Sequence, residues 1–188
     1  MIAFAHDESV SPLESVAGHY IMMIFMRQDQ PNGIGRVASL HLHPESPGGP
    51  FRTVEAIHVV EAKGIEGNPR YFGRKNREGQ PGKRQVTLIE REQIAGHAAA
   101  LNRDAIAPGL VRSNIETTGI DLIALIGKQV EIGEAILSFY APRDPCEKMD
   151  AVCQGLRERM LGNRQGVLAQ VIKSGAIRVG DAIQVKTS

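Results

Sequence analysis

Gln85-Val86-Thr87-Leu88-Ile89 opens a stretch that closes with Val111-Arg112-Ser113-Asn114-Ile115-Glu116-Thr117, and the clearest helix of the chain lies between them. The first segment is short, apolar and rich in β-branched residues, which predicts a strand. From Glu90 to Asn102, Ile94, Ala98 and Leu101 fall on one helical face, and Glu90 and Glu92 suit the positive end of the helix dipole. Pro108-Gly109 then breaks the chain. In the closing segment Val111, Ser113, Ile115 and Thr117 alternate with Arg112, Asn114 and Glu116, which predicts a two-sided strand with Arg112 and Asn114 on one face.

Outward from this stretch the pattern is of short strands separated by turns. Val37 to His43 is one candidate strand, and Val54 to Ala62, ending at Lys63-Gly64, is another. Two later segments echo each other. Val130-Glu131-Ile132-Gly133-Glu134-Ala135-Ile136 aligns with Ile177-Arg178-Val179-Gly180-Asp181-Ala182-Ile183, and both read as strand–turn–strand corners. Many short strands with one substantial helix give a mainly β fold with short helices, a β-barrel or a sandwich. The length of 188 residues suits one domain. Residues 1–34 fit no clear pattern beyond an apolar run, Tyr20 to Met26, and a turn signal at Gln30-Pro31-Asn32-Gly33. They read as an extension, which leaves residues 35–186 as the domain.

The formal net charge is only +1, which argues against a dedicated nucleic-acid binder or a polybasic membrane protein, and the aromatic content of 4% offers few stacking platforms. The charge is unevenly placed. Between Arg70 and Arg84 six bases (Arg70, Arg74, Lys75, Arg77, Lys83, Arg84) face one acid, Glu78, so this segment carries +5 and the remainder −4. Gly64, Gly67, Gly73, Gly79 and Gly82 lie in or beside it. Two readings stand: a solvated loop, or an anion-binding lip in which glycines let the backbone approach and arginines supply forked donors. With two cysteines, no basic residue before Arg27 and no apolar run long enough to span a bilayer, the expected protein is cytoplasmic.

Ala141-Pro142-Arg143-Asp144-Pro145-Cys146 leaves a predicted strand through two prolines, placing Cys146 where a short helix can begin. A thiol there, near Arg143, is either a biased thiolate or a small buried hydrophobe. Cys153 suits neither a zinc pair nor a Cys-x-x-Cys redox motif, and space-filling is the preferred reading over a resolving thiol. His41 and His43 share one side of a strand, and a partly exposed face is preferred over a metal site. His58 and His97 are isolated. Dinucleotide-binding, Walker, nucleophile-elbow and His-Glu-x-x-His motifs are all missing from the sequence.

Taken in order, these pieces resemble one family. Gly64-Ile65-Glu66-Gly67-Asn68-Pro69-Arg70-Tyr71 is similar to the glycine-flanked Asp-Arg loop of MOSC domains, the C-terminal domains of molybdenum cofactor sulfurases. Leu110-Val111-Arg112-Ser113-Asn114-Ile115 resembles the family's Arg-x-Asn segment, and Gly127 to Cys146 its cysteine-bearing block. One departure is that Asn68-Pro69 stands where the family carries Asp.

The resemblance implies a β-barrel with a pocket for the pterin-based molybdenum cofactor. It carries over Arg70, Arg112 and Asn114 as cofactor-binding residues and Cys146 as the metal ligand or sulfur carrier. Arg143 joins them as a further cation for phosphate or oxo groups, while Glu66 and Asp144 are nearby carboxylates for proton transfer. The implied function is an oxidoreductase acting on N-hydroxylated or similar small substrates, served by a separate electron donor. The alternative is a sulfurtransferase bearing a persulfide on Cys146 and served by a sulfur donor protein. Pyridoxal phosphate, nucleic acid and membrane are not expected partners, and a homodimer remains open.

Overall fold

The computed structural model describes residues 35–46 and 48–187, so the expectations for residues 1–34 lie outside the described residues. The elements in chain order are β1 (Gly35–Leu42), β2 (Arg52–Val54), β3 (Ala56–Val60), β4 (Gly64–Ile65), β5 (Val86–Glu90), α1 (Arg91–Ala100) and β6 (Ile115–Thr118). They continue with β7 (Gln129–Ile132), β8 (Ala135–Pro142), α2 (Leu156–Arg159), β9 (Val167–Lys173), β10 (Gly175–Arg178) and β11 (Ala182–Val185).

Seven of these strands close a mixed barrel in the order β11-β7-β8-β9-β5-β6-β1, sealed by Gly35 and Arg36 of β1 against Ile183 and Ala182 of β11. Closure pairs the strand edges that an open sheet would expose. The β5–β6 pair is parallel, whereas the other barrel pairs are antiparallel. A parallel pair needs a crossover, and α1 with the loop after it provides one. The expected mainly β barrel with short helices is what the chain forms.

Two apolar clusters explain why β5 reads as an unbroken run. Val86 and Leu88 point into the barrel with Leu40, Ile115, Leu137 and Phe139. Ile89 points the other way, beneath α1, with Ile94, Ala98, Met149, Leu156 and Met160. A strand covered on both faces needs no polar alternation. Each fully buried Leu or Ile contributes about 1.5–3 kcal/mol by leaving water.

Other local expectations change. The run from Val54 to Ala62 divides at Glu55, because β2 pairs with β1 in the barrel whereas β3 pairs with β10 and β4 in a separate sheet. The strand expected from Val111 starts only at Ile115, since Arg112 adopts φ +61° in a turn where its N–H donates to Gly109 O. Glu90 and Glu92 do stand at the start of α1, as the dipole reading expects, but the Glu90 side chain makes no capping hydrogen bond. Their carboxylates accept the N–H groups of Leu122 and Gly119, at 2.9 and 2.8 Å, and burial pushes the Glu90 carboxyl up.

The two echoing segments are indeed corners, with different jobs. The first joins the antiparallel neighbours β7 and β8, whereas the second carries the chain from the small sheet back to the barrel. They also hold each other. The Glu134 N–H donates to Ala176 O at 3.0 Å, the Ala176 N–H donates to Glu134 Oε2 at 3.3 Å, and Arg178 pairs with Glu134 at 3.4 Å.

Glu116 is a buried carboxylate on β6 that ties three segments together. Oε2 accepts from Arg91 at 2.9 Å and from the Ser39 hydroxyl at 3.2 Å, and Oε1 accepts the Gly109 N–H at 2.7 Å. A Glu116→Gln side chain cannot accept on both sides, so one of these donors would confront an amide N–H. The expected cost is about 2 kcal/mol. The urea midpoint checks it; an unchanged midpoint would mean that the network contributes nothing net.

Candidate functional site

The prolines around Arg143 behave as their chemistry requires. Pro142 ends β8 opposite Val167, and Arg143 is then held by its N–H donating to Gly166 O at 2.9 Å. Cys146 is extended (φ −116°, ψ 170°) and half-buried, immediately ahead of a three-residue 3-10 turn, Glu147–Met149. Met149 anchors that turn in the cluster under α1, and Cys153 is buried in the same cluster, so its role is space-filling.

Arg143 is the most unusual cation in the protein. It is 5% exposed, and its guanidinium donates to Ser113 Oγ at 2.8 Å and reaches Val111 O at 3.5 Å. Among the described residues no carboxylate pairs with it. Burial above all, then repulsion from Arg84, lowers its pKa to about 10, while Cys146 and Tyr71 act in the opposite direction. Burying an unpaired charge is costly, so its retention here needs a reason.

Other cations surround it. The left-handed turn at Arg112 sets its guanidinium 4.8 Å above the Phe51 ring and 3.5 Å from Gly49 O. Burial and then Arg70 push the Arg112 pKa down, with Cys146 and Tyr71 opposing. Arg70 and Arg84 both lie over the Tyr71 ring, at 5.4 and 5.0 Å. The fold thus brings Arg70, Arg112, Arg143 and Cys146 into one electrostatic neighbourhood. Arg84, present in the sequence only as part of the basic segment, belongs there too.

Asn114 does not share a face with Arg112. It is fully buried in the wall, where Oδ1 accepts from the Thr87 N–H and hydroxyl at 3.2 and 3.0 Å and Nδ2 donates to His41 O at 3.1 Å. In this structure Asn114 joins β1, β5 and the start of β6. Glu66 and Asp144 are both exposed to solvent, and neither side chain bonds to a residue of the cluster.

The two strand histidines are buried rather than partly exposed. His41 sits between Ser39 Oγ at 2.9 Å and Thr53 Oγ1 at 3.2 Å. His43 packs between Phe51, tilted by 48° with centroids 4.4 Å apart, and Tyr71, edge-on at 5.1 Å. The His43 N–H donates to Asn68 Oδ1 at 3.0 Å, and ring Nδ1 approaches the same oxygen at 3.1 Å. Asn68, at the position of the family departure, is buried, and its Nδ2 has no partner. Sequence reading singled out His43 only as a strand-face residue and passed over Phe51, since neither carries a local signal of the contact that the two make.

The family model for the MOSC domain matches residues 48–184. The chain belongs to the MOSC domain family. Among solved structures it is similar to the YuaD protein of Bacillus subtilis, with a TM-score of 0.68 and 18% identity over 82% of this chain and 97% of that one. YiiM of Escherichia coli aligns with a TM-score of 0.58 and 18% identity over 85% and 71% of the two chains. YiiM of Geobacillus stearothermophilus aligns with 0.59 and 16% over 81% and 75%. These likenesses show a shared barrel. No curated protein sequence matches the chain significantly. The β1 strand precedes the matched MOSC span and nevertheless closes the barrel.

MOSC domains are associated with the molybdenum cofactor, which combines a phosphate, a hydrogen-bonding pterin and a metal held by sulfur. The site's chemistry fits that group. Among the described residues, four guanidiniums without a paired carboxylate suit phosphate and oxo groups, a half-buried thiol suits a soft metal, and an orphaned amide N–H on Asn68 suits an acceptor.

Proposed function

We propose that this MOSC protein binds the molybdenum cofactor and acts as an oxidoreductase on N-hydroxylated or similar small substrates, drawing electrons from a separate donor protein. The observation that carries the reading is Arg143, a buried cation with no paired carboxylate among the described residues, beside Arg112 and Cys146. A charge kept at such a cost is explained by an anionic ligand that compensates it when bound. In this reading Arg143 and Arg112 hold the anionic groups nearest the thiol, and Arg70 and Arg84 hold those at the rim. Asn114 keeps the wall in register, and the Cys146 thiolate is the protein's soft ligand. When bound, the cofactor supplies a metal centre that exchanges electrons with the substrate. Among the described residues no helix is long and apolar enough to cross a membrane.

A second reading rests on Cys146 being half-buried rather than sealed, so that a donor can reach it. Here Cys146 carries sulfur as a persulfide. One purification separates the two. From a host that makes the cofactor, wild-type protein is expected to carry molybdenum and pterin near stoichiometry, and Cys146→Ala to lose most of the metal. Wild-type protein without molybdenum would overturn the oxidoreductase reading. An added sulfur mass after exposure to a cysteine desulfurase, absent in Cys146→Ser, would support the carrier instead.

A further inference from the structure

His43 lies at the centre of the cationic cluster and has one ring nitrogen uncommitted. The His43 backbone N–H donates to Asn68 Oδ1, which identifies that atom as the amide's oxygen. The ring Nδ1 contacts the same oxygen at 3.1 Å, and an oxygen of this kind only accepts. Nδ1 therefore carries the proton, and the neutral ring presents its lone pair at Nε2. Among the described residues Nε2 has no hydrogen-bond partner, and His43 lines a cavity of about 330 Å³ with Gly49, Pro50, Arg52, Gly67 and Pro69.

The groups facing this ring come from four segments. Arg70 and Tyr71 follow β4, Arg84 precedes β5, Arg112 precedes β6, and Glu45 and Arg52 flank the cavity between β1 and β2. The imidazole contacts two rings, Phe51 at a tilt of 48° and Tyr71 edge-on at 81°, and each ring also carries cations: Arg112 over Phe51, and Arg70 and Arg84 over Tyr71. Around His43, among the described residues, the cations outnumber the carboxylate that flanks the cavity, Glu45.

We propose that His43 is the proton-loading residue of this site: when a tetrahedral oxyanion occupies the guanidinium cluster, His43 Nε2 takes up one proton. In the free protein, burial first and then Arg70, Arg112 and Arg84 hold the ring neutral, with a pKa of about 4, against the Asn68 contact that raises it. An anion on those guanidiniums cancels their repulsion and raises the histidine toward its ordinary value. Between the free and bound values, binding consumes a proton, so affinity rises as pH falls through that window. Above both values His43 is neutral in either state and affinity no longer depends on it. The inference deepens the proposed function by naming a proton source beside the cofactor site, but its test needs no cofactor.

Sulfate is the probe, because it stays doubly charged across the range used. With sulfate saturating the wild-type protein, the ring-nitrogen NMR shifts of His43 should titrate at least about one pH unit higher than without it. Sulfate should then bind about threefold tighter at about pH 4.5 than at about pH 7.5, with proton uptake visible by calorimetry in buffers of different ionisation heat. His43→Gln should retain sulfate binding but lose the pH dependence and the proton uptake. Asn68→Asp, which gives the ring a permanent carboxylate partner, should leave His43 protonated before sulfate arrives and so abolish the proton uptake that the wild type shows at about pH 4.5. A His43 titration unmoved by sulfate, pH dependence surviving in His43→Gln, or no sulfate binding at all would each overturn the proposal. Molybdenum content decides the proposed function separately.

Discussion

Arg143→Met is expected to make the protein more stable and its site useless. The guanidinium is 5% exposed, is unpaired among the described residues, and has its pKa lowered from the ordinary arginine value to about 10. A buried cation with a lowered pKa destabilises the fold wherever it is charged. That penalty, on the order of 3 kcal/mol, is fully present below about pH 10 and fades only as pH rises toward the ordinary arginine value. At neutral pH the wild type therefore bears all of it. Methionine fills similar volume without charge, although the Ser113 oxygen then loses the donor from which it accepts. The net gain expected is about 2 kcal/mol, or roughly 5 °C in melting temperature. The same variant should purify with little molybdenum. A variant less stable than wild type would show that Arg143 is structural, which would remove the main support for the proposed function.

The second large effect concerns Gly166, where the fold leaves no room for a side chain. Its φ is +74°, and a Cβ there would overlap Leu88 O and approach Ile89 Cα to 2.8 Å. These are backbone atoms of β5 in the barrel wall, so no rotamer change relieves the clash. Gly166 O also receives the Arg143 N–H, which makes this close approach part of how the site is held. Gly166→Ala is expected to cost about 3–5 kcal/mol, through strain at positive φ together with displacement of β5 or β9. Gly162 is the control, since its φ is +71° but a Cβ there would meet nothing within 4 Å. Gly162→Ala should lose only about 1 kcal/mol. Equal urea midpoints for the two variants would refute the packing argument.

The positions that misled the sequence reading share a cause. Alternation from Val111 to Thr117 is real, yet Val111, Ser113, Asn114, Ile115, Glu116 and Thr117 are all buried. The barrel lies on one side of this segment and the α1 layer on the other, so polar residues there satisfy one another instead of facing water. Asn114, Glu116 and Thr87 became internal ties for that reason. His41 and His43 follow the same logic, buried by β2 and by the loop around Asn68.

Some features needed only the chain. The helix after β5, the turn-rich basic segment, the bend that delivers Cys146 and the family-like order of motifs are local, because glycine, proline and periodicity act over a few residues. Barrel closure through β1 and β11 joins the first and last strands of the domain, and no local pattern encodes that register. The same holds for the site. The +5 segment contributes Arg70 and Arg84, but the turn ahead of β6 supplies Arg112 and the exit of β8 supplies Arg143. Charge count made an anionic ligand reasonable; long-range packing determined that these cations meet around one thiol, with one of them buried and, among the described residues, unpaired.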